Sequence, residues 1–312
     1  MDSEGGPESD NRTAIILMTY GSATTAEHVE EYMKRIYGAK ASKSLIGDFQ
    51  RRYRLVGHSP LIEITRRQAA LLETRLGHRY IVRSAMRHSN PLISDVVAAC
   101  SRDGADTITG IILSPQFSSY IMEGYKTALY DAAEMNGYAK SDVTIADPWP
   151  REAHFIQLLA KRVRHALHRL EILHGTRVPV IFTTHSLPER VVADDPTYLG
   201  QLRATRYAIL AELDMPELES YAAYQSAGHS PEEWLKPDLV DILAILKDKG
   251  APAVLIVPIQ FLADHLEILY DLDRAAAEQC AENGIAYNRI ELPNTDPLLI
   301  ESLAAIAQRP QN

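Results

Sequence analysis

Residues 155–183, FIQLLAKRVRHALHRLEILHGTRVPVIFT, contain the two periodicities that decide the fold. In the first part, apolar residues recur every three or four positions, which places them on one stripe of a helix. They are Phe155, Leu159, Val163, Ala166, Leu170 and Leu173. The second part, 178–183, is almost continuously apolar, as in a strand that is covered on both faces. The stretch therefore predicts a helix followed by a strand of a parallel sheet.

The same alternation extends in both directions along the chain. Further apolar runs that predict strands occupy 14–18, 80–84, 107–113, 143–146, 220–224 and 253–258. A second helical stripe covers 61–76. Strands that alternate with helices indicate βαβ units and a mainly parallel sheet, so the predicted fold class is α/β.

The alternation runs twice, and Asp147-Pro148-Trp149-Pro150 interrupts it. We therefore expect two similar Rossmann-like lobes, residues 13–146 and 147–312, each a mainly parallel sheet flanked by helices, with a ligand cleft between the lobes. Residues 1–12, rich in Gly, Ser, Asp and Glu, predict a disordered tail. The longest stretch without a clear period, 38–59, is interpreted as an irregular loop of the kind that carries function.

Composition and charge narrow the class of protein. The formal net charge is −9, so the chain lacks the basic footprint of a nucleic-acid-binding protein. The longest strongly apolar run, 253–263, contains Pro258 and Gln260 and is too short to span a membrane; peripheral membrane contact stays open. The only cysteines, Cys100 and Cys280, support neither a disulfide framework nor a four-cysteine cluster. This cysteine usage is typical of a reducing cytoplasm.

Polar segments follow the predicted strands at the ends where parallel sheets bind ligands. They are 19–22, 86–88, 114–119, 183–189, 225–228 and 261–267. No glycine-rich phosphate loop, H-E-x-x-H zinc motif or Gly-x-Ser-x-Gly nucleophile motif competes with them. The sequence therefore predicts a site rich in Ser, Thr, His and carboxylates at the strand ends.

Two features of this site have alternative interpretations. At about 100° per residue, Asp264, Glu267 and Asp271 project onto one side of a helix. The opposite side holds Leu266, Leu269, Tyr270, Asp273 and Ala277. The three carboxylates form either a solvated acidic face or a row that passes on a divalent cation or accepts protons. His185, directly after the apolar run 178–182, is either a hydrogen-bonded structural residue or a ligand.

The same segments carry motifs in a recognisable order. Residues 184–189 (THSLPE) resemble the H-S-[LI]-P signature of the ferrochelatase family, and residues 261–271 (FLADHLEILYD) resemble its F-x-x-D-H-x-E segment. Supporting matches are Tyr224-Gln225-Ser226, Trp234-Leu235-Lys236-Pro237, Gly57-His58-Ser59-Pro60-Leu61 with Thr65 and Gln68, and Pro115 with Ser118. The chain is thus similar to the ferrochelatases over nearly its whole length after the tail, and most closely to the compact bacterial type that acts on coproporphyrin.

This resemblance implies an enzyme that inserts ferrous iron into a porphyrin during haem biosynthesis. Iron and porphyrin are its substrates, and neither a cofactor nor an iron–sulfur cluster is expected. The implied catalytic residues are His185 and Glu267, which would face each other across a distorted macrocycle, one taking protons and the other guiding iron in an order that stays open. Asp271, one turn on, would handle metal with them and continue an acidic path towards solvent.

The resemblance also bears on the porphyrin itself. Compact coproporphyrin enzymes carry a tyrosine close to the metal, at the position of Tyr20. Coproporphyrin has four propionates, which need donors around the rim, and the implied substrate-binding residues are Tyr20, Arg52, Ser59, Ser118, Ser119 and Tyr125. For Arg52, a solvent-facing helix position is an equal alternative. Rival interpretations are a protoporphyrin enzyme, a cobalt chelatase of the same fold, and a non-catalytic tetrapyrrole or haem carrier.

The chain departs from the family pattern at specific positions. Residues 37–40 lack the arginine-rich patch of relatives, and Ala275 stands where close relatives carry a carboxylate. The final helix, 297–307, is expected to pack back across the first lobe. We expect a cytoplasmic monomer that binds porphyrin and iron, and a haem-acceptor protein is an open partner. The composition predicts neither a nucleic-acid partner nor a transmembrane segment.

Overall fold

The computed structural model describes residues 11–228 and 231–310. Its strands form two four-stranded, all-parallel sheets with the orders β2-β1-β3-β4 and β6-β5-β7-β8. The strands are β1 (Thr13–Thr19), β2 (Tyr80–Met86), β3 (Thr107–Ile112), β4 (Val143–Ile145), β5 (Val180–His185), β6 (Ser220–Gln225), β7 (Ala253–Pro258) and β8 (Ala286–Arg289). The predicted α/β class with two parallel sheets is confirmed.

Helices connect the strands and cover both faces of each sheet. They are α1 (Val29–Tyr37), α2 (Lys43–Val56), α3 (Leu61–Leu76), α4 (Ile93–Arg102), α5 (Ser119–Met135), α6 (Ala153–His174), α7 (Glu189–Asp194), α8 (Thr197–Leu213), α9 (Leu239–Asp248), a π-helix (Glu267–Ala276) that continues into α10 (Ala277–Glu282), and α11 (Pro297–Ala307). Within the described ranges, no helix combines the length and apolarity needed to cross a membrane.

All seven predicted strands are present, and their ends differ from the predicted ones by two residues at most. β8 (Ala286–Arg289) was missed. It lies at the edge of the second sheet, where it pairs with β7, and its residues Asn288 and Arg289 remain partly accessible. Its four residues, AYNR, form no continuous apolar run, so the pattern that identified the other strands, the edge strands β2, β4 and β6 included, does not mark it.

The interpretation of 38–59 as an irregular loop is wrong, because α2 (Lys43–Val56) occupies most of it. The hydroxyl of Ser42 accepts a hydrogen bond from the amide of Leu45 (3.2 Å) and so caps the helix N-terminus. One side of α2 packs into a small apolar cluster through Ile46 and Tyr53. Gly47 and a run of arginines obscure this stripe in the sequence.

One of the apolar cores extends across both sheets. It contains Ile15 of β1, Val180 of β5 and Leu255 of β7, together with buried residues of α3, α6, α8 and α11. The final helix α11 packs against α6 and α3, so it contacts elements before and after residue 146. The division of the chain into lobes at 146/147 remains a prediction.

Residues 1–10 of the predicted tail lie outside the described residues. Arg12, the last residue of that tail, is attached to the first sheet: its amide donates to Asp106 (2.8 Å) and its guanidinium to the carbonyl of Asp103 (2.7 Å). The tail prediction therefore does not hold for Arg12.

The burial of α6 leads to a stability prediction. Leu159 is 0 % exposed within the shared core, so Leu159→Ala should lower the free energy of unfolding by about 2–5 kcal/mol, through lost transfer energy and a residual cavity. Ile172 lies on the same helix but is 73 % exposed, and Ile172→Ala should change it by less than about 0.5 kcal/mol. Urea unfolding of both variants measures the contrast. Equal effects would contradict the placement of α6 in the core.

Candidate active site

Segments that follow the carboxyl ends of the two sheets meet at one site, named the cleft, which includes Tyr20, His185 and Glu267. Gln116, in the loop after β3, is buried and joins the two halves: its side-chain amide donates to Thr205 Oγ1 and to the carbonyl of Ile259, both at 3.0 Å. The amide of the next residue, Phe117, donates to Gln201 Oε1 (2.6 Å). These bonds hold the loop after β3 against α8 and against the end of β7.

His185 is the last residue of β5 rather than the residue beyond it. Its amide donates to Gln260 Oε1 (2.9 Å), and its carbonyl accepts from the Tyr198 hydroxyl (3.1 Å). Nδ1 contacts the Ser186 carbonyl, which can only accept, so Nδ1 carries a proton. The other ring nitrogen, Nε2, faces Glu267 at 3.7 Å from Oε1.

Glu267 begins the π-helix, and this geometry changes which residues face the core. The buried side chains are Ile268, Leu272 and Ala276, four residues apart, because a π-helix has i→i+5 hydrogen bonds and a wider turn than an α-helix. The projection that grouped Leu266, Leu269, Tyr270, Asp273 and Ala277 on one side assumed the α-helical period. It does not hold here: of the five, only Leu266, which precedes the π-helix, is buried.

Asp264 does not share a face with the other two carboxylates. It precedes the helix, accepts from Asn294 Nδ2 (2.7 Å) and lies 3.6 Å from Arg289. Asp271 accepts from the Ser226 hydroxyl (2.5 Å) and lies 3.5 Å from Arg52. Of the predicted acidic row, Glu267 and Asp271 remain together at the site.

The environments of these two carboxylates drive their pKa values apart. Burial disfavours the charge of Glu267, but His185 and His265, the latter 3.6 Å away, outweigh this and lower the pKa of Glu267 to about 2. Burial and the nearby Glu267 charge raise the pKa of Asp271 above its ordinary value, against the opposing effects of Ser226 and Arg52. The site therefore holds one firmly ionised carboxylate beside one that takes up protons more readily.

The prediction that His185 and Glu267 face each other across the macrocycle is wrong for this structure. Their side chains are 3.7 Å apart, whereas a flat ring between them would need about 7 Å, one van der Waals contact on each side. Both groups belong to the same wall of the cleft. They do converge, although 82 positions separate them in the sequence (267 − 185).

The three predicted metal-handling residues do not form one ligand set. Among the residues that the structure describes, no three His, Cys, Asp or Glu side chains converge closely enough to hold a metal ion. His185 and Glu267 are adjacent, and Asp271 is turned towards Ser226 and Arg52. Their individual roles stay predictions.

Tyrosines that follow or flank the first sheet feel the charge of Glu267. Tyr20 follows β1 with 40 % of its surface exposed, and its ring centre is 4.5 Å from that of His88. Partial burial raises the pKa of Tyr20 to about 12, and the Glu267 charge contributes to the rise. Burial raises the pKa of Tyr37, and the Glu267 charge is the next largest cause of this rise. Tyr37 and Tyr120, which sequence reasoning missed, are also exposed.

Arg52 is not the solvent-facing residue of the alternative interpretation. Its side chain is 22 % exposed and lies 2.9 Å from Asp48 and 3.5 Å from Asp271, over the Tyr270 ring at 5.1 Å. It bridges the two halves at the edge of the acidic site. Its guanidinium is already paired with carboxylates of the chain, and its predicted contact with a propionate stays untested.

The remaining rim residues divide by exposure. Ser119 is exposed at the start of α5, where its amide lies 3.5 Å from Asp195 Oδ2. Ser59, Ser118 and Tyr125 are 3 %, 2 % and 4 % exposed, so their side chains offer a ligand no open surface. Sequence position placed them near the cleft but carried no information about which neighbours cover them.

Two further cleft residues, His265 and Arg87, lie in the polar segments after predicted strands, but the sequence did not identify either of them as a site residue. His265, inside the 261–267 segment, donates from Nδ1 to the Ala263 carbonyl (2.9 Å), and although burial opposes it, the Glu267 carboxylate raises the pKa of His265. Arg87 follows β2 and lies over the Tyr125 ring at 5.7 Å. Their position directly after predicted strands was the available signal.

Comparison with known proteins adds a second line of evidence. The family model described as ferrochelatase matches residues 12–311. The ferrochelatase of Herpetosiphon aurantiacus is 33% identical over 95% of this chain and 98% of its own length. The coproporphyrin III ferrochelatase of Geobacillus kaustophilus is 34% identical over 94% of each.

Solved structures share the fold at much lower identity. SirB from Bacillus subtilis, determined with Fe3+, superposes with a TM-score of 0.59 at 13% identity, covering 95% of this chain and 94% of that chain. The siroheme-biosynthesis enzyme CbiX from denitrifying bacteria gives a TM-score of 0.52 at 12% identity, covering 96% of this chain and 100% of that chain. These likenesses concern the fold.

Proposed function

This chain belongs to the ferrochelatase family, and we propose that the porphyrin it prefers is coproporphyrin III. Membership makes it a metal chelatase that inserts iron into a porphyrin in haem synthesis. The preference is supported by relatives named coproporphyrin III ferrochelatase and by Tyr20, exposed at the end of β1 within the field of Glu267.

One observation carries the assignment of the reactive groups: an ionised carboxylate held between two imidazoles at the cleft. Glu267 lies 3.7 Å from His185 and 3.6 Å from His265. Carboxylates suit hard dications and protons, and imidazole suits ferrous iron. We therefore assign His185 and Glu267 to the catalytic step, on the same face of the ring.

The ring lies, in this proposal, against the open side of the His185–Glu267 pair, with Tyr20 on its far face. The 3.7 Å separation of the pair leaves no slot between the two side chains. Tyr20 follows β1 in the other half of the chain and is 40 % exposed, so we place it on the far side of the ring. A ring in this position presents its pyrrole nitrogens to both His185 and Glu267 from one side.

Insertion exchanges ferrous iron for two pyrrole N–H protons. The negative charge of Glu267, whose pKa is about 2, draws the dication towards the ring, and Nε2 of His185 offers a nitrogen ligand as iron loses water. Asp271 has a pKa above its ordinary value, which suits it to accept protons and pass them outwards. No covalent nucleophile or nucleotide is required.

An anaerobic assay with ferrous iron and either porphyrin tests the substrate preference. We expect a kcat/KM for coproporphyrin III at least about tenfold above that for protoporphyrin IX, because each charge-assisted hydrogen bond to an extra propionate is worth about 1.5–3 kcal/mol. A preference for protoporphyrin IX would refute the substrate assignment. Binding of both porphyrins without turnover would favour a carrier, and cobalt insertion into a reduced tetrapyrrole would favour a cobalt chelatase.

We further propose a cytoplasmic monomer that uses no cofactor. Cys100 and Cys280 are both buried free thiols, as is usual in a reducing compartment. They lie in separate apolar clusters, and an iron–sulfur cluster takes four ligands. A haem-acceptor protein and peripheral membrane contact stay open expectations, which gel filtration with and without haem or lipid vesicles can test.

A further inference from the structure

Arg87 extends the first sheet at the position next to Tyr20. Beyond the last β2 residue, the Arg87 amide donates to the Thr19 carbonyl (2.9 Å) and the His88 amide to the Tyr20 carbonyl (3.0 Å). The ladder between β1 and β2 therefore continues into the cleft. The Arg87 charge reaches Tyr20, whose pKa it lowers against the larger effect of burial.

The guanidinium of Arg87 lies in a narrow slot on α5. It stacks over the ring of Tyr125, with 5.7 Å from Cζ to the ring centre, and Tyr125 beneath it is 4 % exposed. A methyl group built on Gly124 would lie 2.0 Å from Arg87 Cζ. The slot therefore exists because residue 124 has no side chain.

Arg87 is partly buried, yet its guanidinium is not paired with any carboxylate of residues 11–228 and 231–310. Across the described residues, no carboxylate lies within the 4.0 Å ion-pair distance of its guanidinium. Other arginines near the cleft differ, since Arg52 is paired with Asp48 and Asp271, and Arg35 with Glu31. A half-buried cation without a partner is unfavourable, and a bound anion would relieve that cost.

We propose that Arg87 binds a propionate carboxylate of the porphyrin and that Gly124 keeps its guanidinium in place. The inference rests on the proposed function, because it takes a carboxylated tetrapyrrole as the ligand. A guanidinium presents paired N–H donors that match a carboxylate, and stacking on Tyr125 orients them before the substrate arrives. Residues 37–40, which lack the arginine-rich patch of relatives, contain Lys40 as their only cation. Arg87 supplies a second cation for the substrate.

Titration of coproporphyrin III into iron-free protein, followed by porphyrin fluorescence, tests this contact. Arg87→Met should raise Kd roughly 10- to 100-fold, the range for losing a charged hydrogen bond, and Arg87→Lys should raise it less, since lysine offers a point charge without the fork. Gly124→Ala keeps the arginine but displaces its guanidinium, so it should also raise Kd. In steady-state assays, KM should rise while kcat stays close to wild type.

Arg102 provides the matched control. It is exposed at the last turn of α4, so Arg102→Met removes the same charge away from the cleft and should leave Kd unchanged.

If Arg87→Met binds coproporphyrin III as tightly as wild type, the proposal is overturned, and a lower melting temperature with unchanged Kd would show that Arg87 only stacks on Tyr125. Should Arg87→Met fail to fold, Arg87→Lys and Gly124→Ala decide by the same measurement. Failure of wild type to insert iron would instead overturn the proposed function, whatever the binding result.

Discussion

His185→Ala is expected to lower kcat/KM for iron insertion by about 100-fold or more, the range for removing a group that transfers protons or holds a reacting atom. The substitution removes Nε2, the nitrogen that lies 3.7 Å from Glu267 at the cleft. It leaves the backbone bonds of His185 to Gln260 and Tyr198 in place, so β5 should keep its position. Coproporphyrin binding should therefore stay measurable in a fluorescence titration while the anaerobic insertion rate falls.

His168→Ala is the matched control for this substitution. His168 is exposed on α6, away from the strand ends, and its removal should leave both kcat and KM near the wild-type values. Wild-type activity of His185→Ala would end its assignment to the catalytic step. Loss of both activity and cooperative unfolding would point to a structural role, so a melting curve belongs with each assay.

Most of the strands were predictable because a strand that is covered on both faces contains a run of apolar residues. Phe182 and Ile256 are 1 % and 0 % exposed, and runs of such residues marked seven of the strands. β8 escaped because two of its four residues, Asn288 and Arg289, are polar, and α2 escaped because its buried residues, such as Tyr53, alternate with a dense set of charges. The pattern fails where polar or charged residues interrupt the apolar positions of an element.

The sequence predicted which residues belong to the site better than it predicted how their side chains are arranged. The order of strand ends and motifs in the sequence is enough to place His185 and Glu267 at one site. Which wall each side chain occupies depends on side-chain direction, and the π-helix shifts that direction for every residue after Glu267. Whether Tyr125 is open or lies under Arg87 depends on a contact with α5 that no local pattern encodes.

Glu267→Gln isolates the charge of the carboxylate, because glutamine has nearly the same shape. We expect kcat/KM for iron insertion to fall by about 100-fold or more, since the amide neither attracts a dication nor accepts a proton at neutral pH. Porphyrin binding should remain measurable in the iron-free titration. Glu278 is exposed in α10 and pairs with Arg274 at 3.6 Å, so Glu278→Gln is the control for losing one carboxylate nearby.

The same variant has a pH signature that separates charge from shape. The folded protein holds the pKa of Glu267 at about 2, below its ordinary 4.5, so ionised Glu267 stabilises the folded state above pH 4.5, and this contribution is lost as the pH falls towards 2. Urea unfolding across that range should show the stability advantage of wild type over Glu267→Gln shrinking with acid. A difference that stays constant with pH would mean that Glu267 is not ionised between the imidazoles of His185 and His265, and the electrostatic account of iron capture would then fail with it.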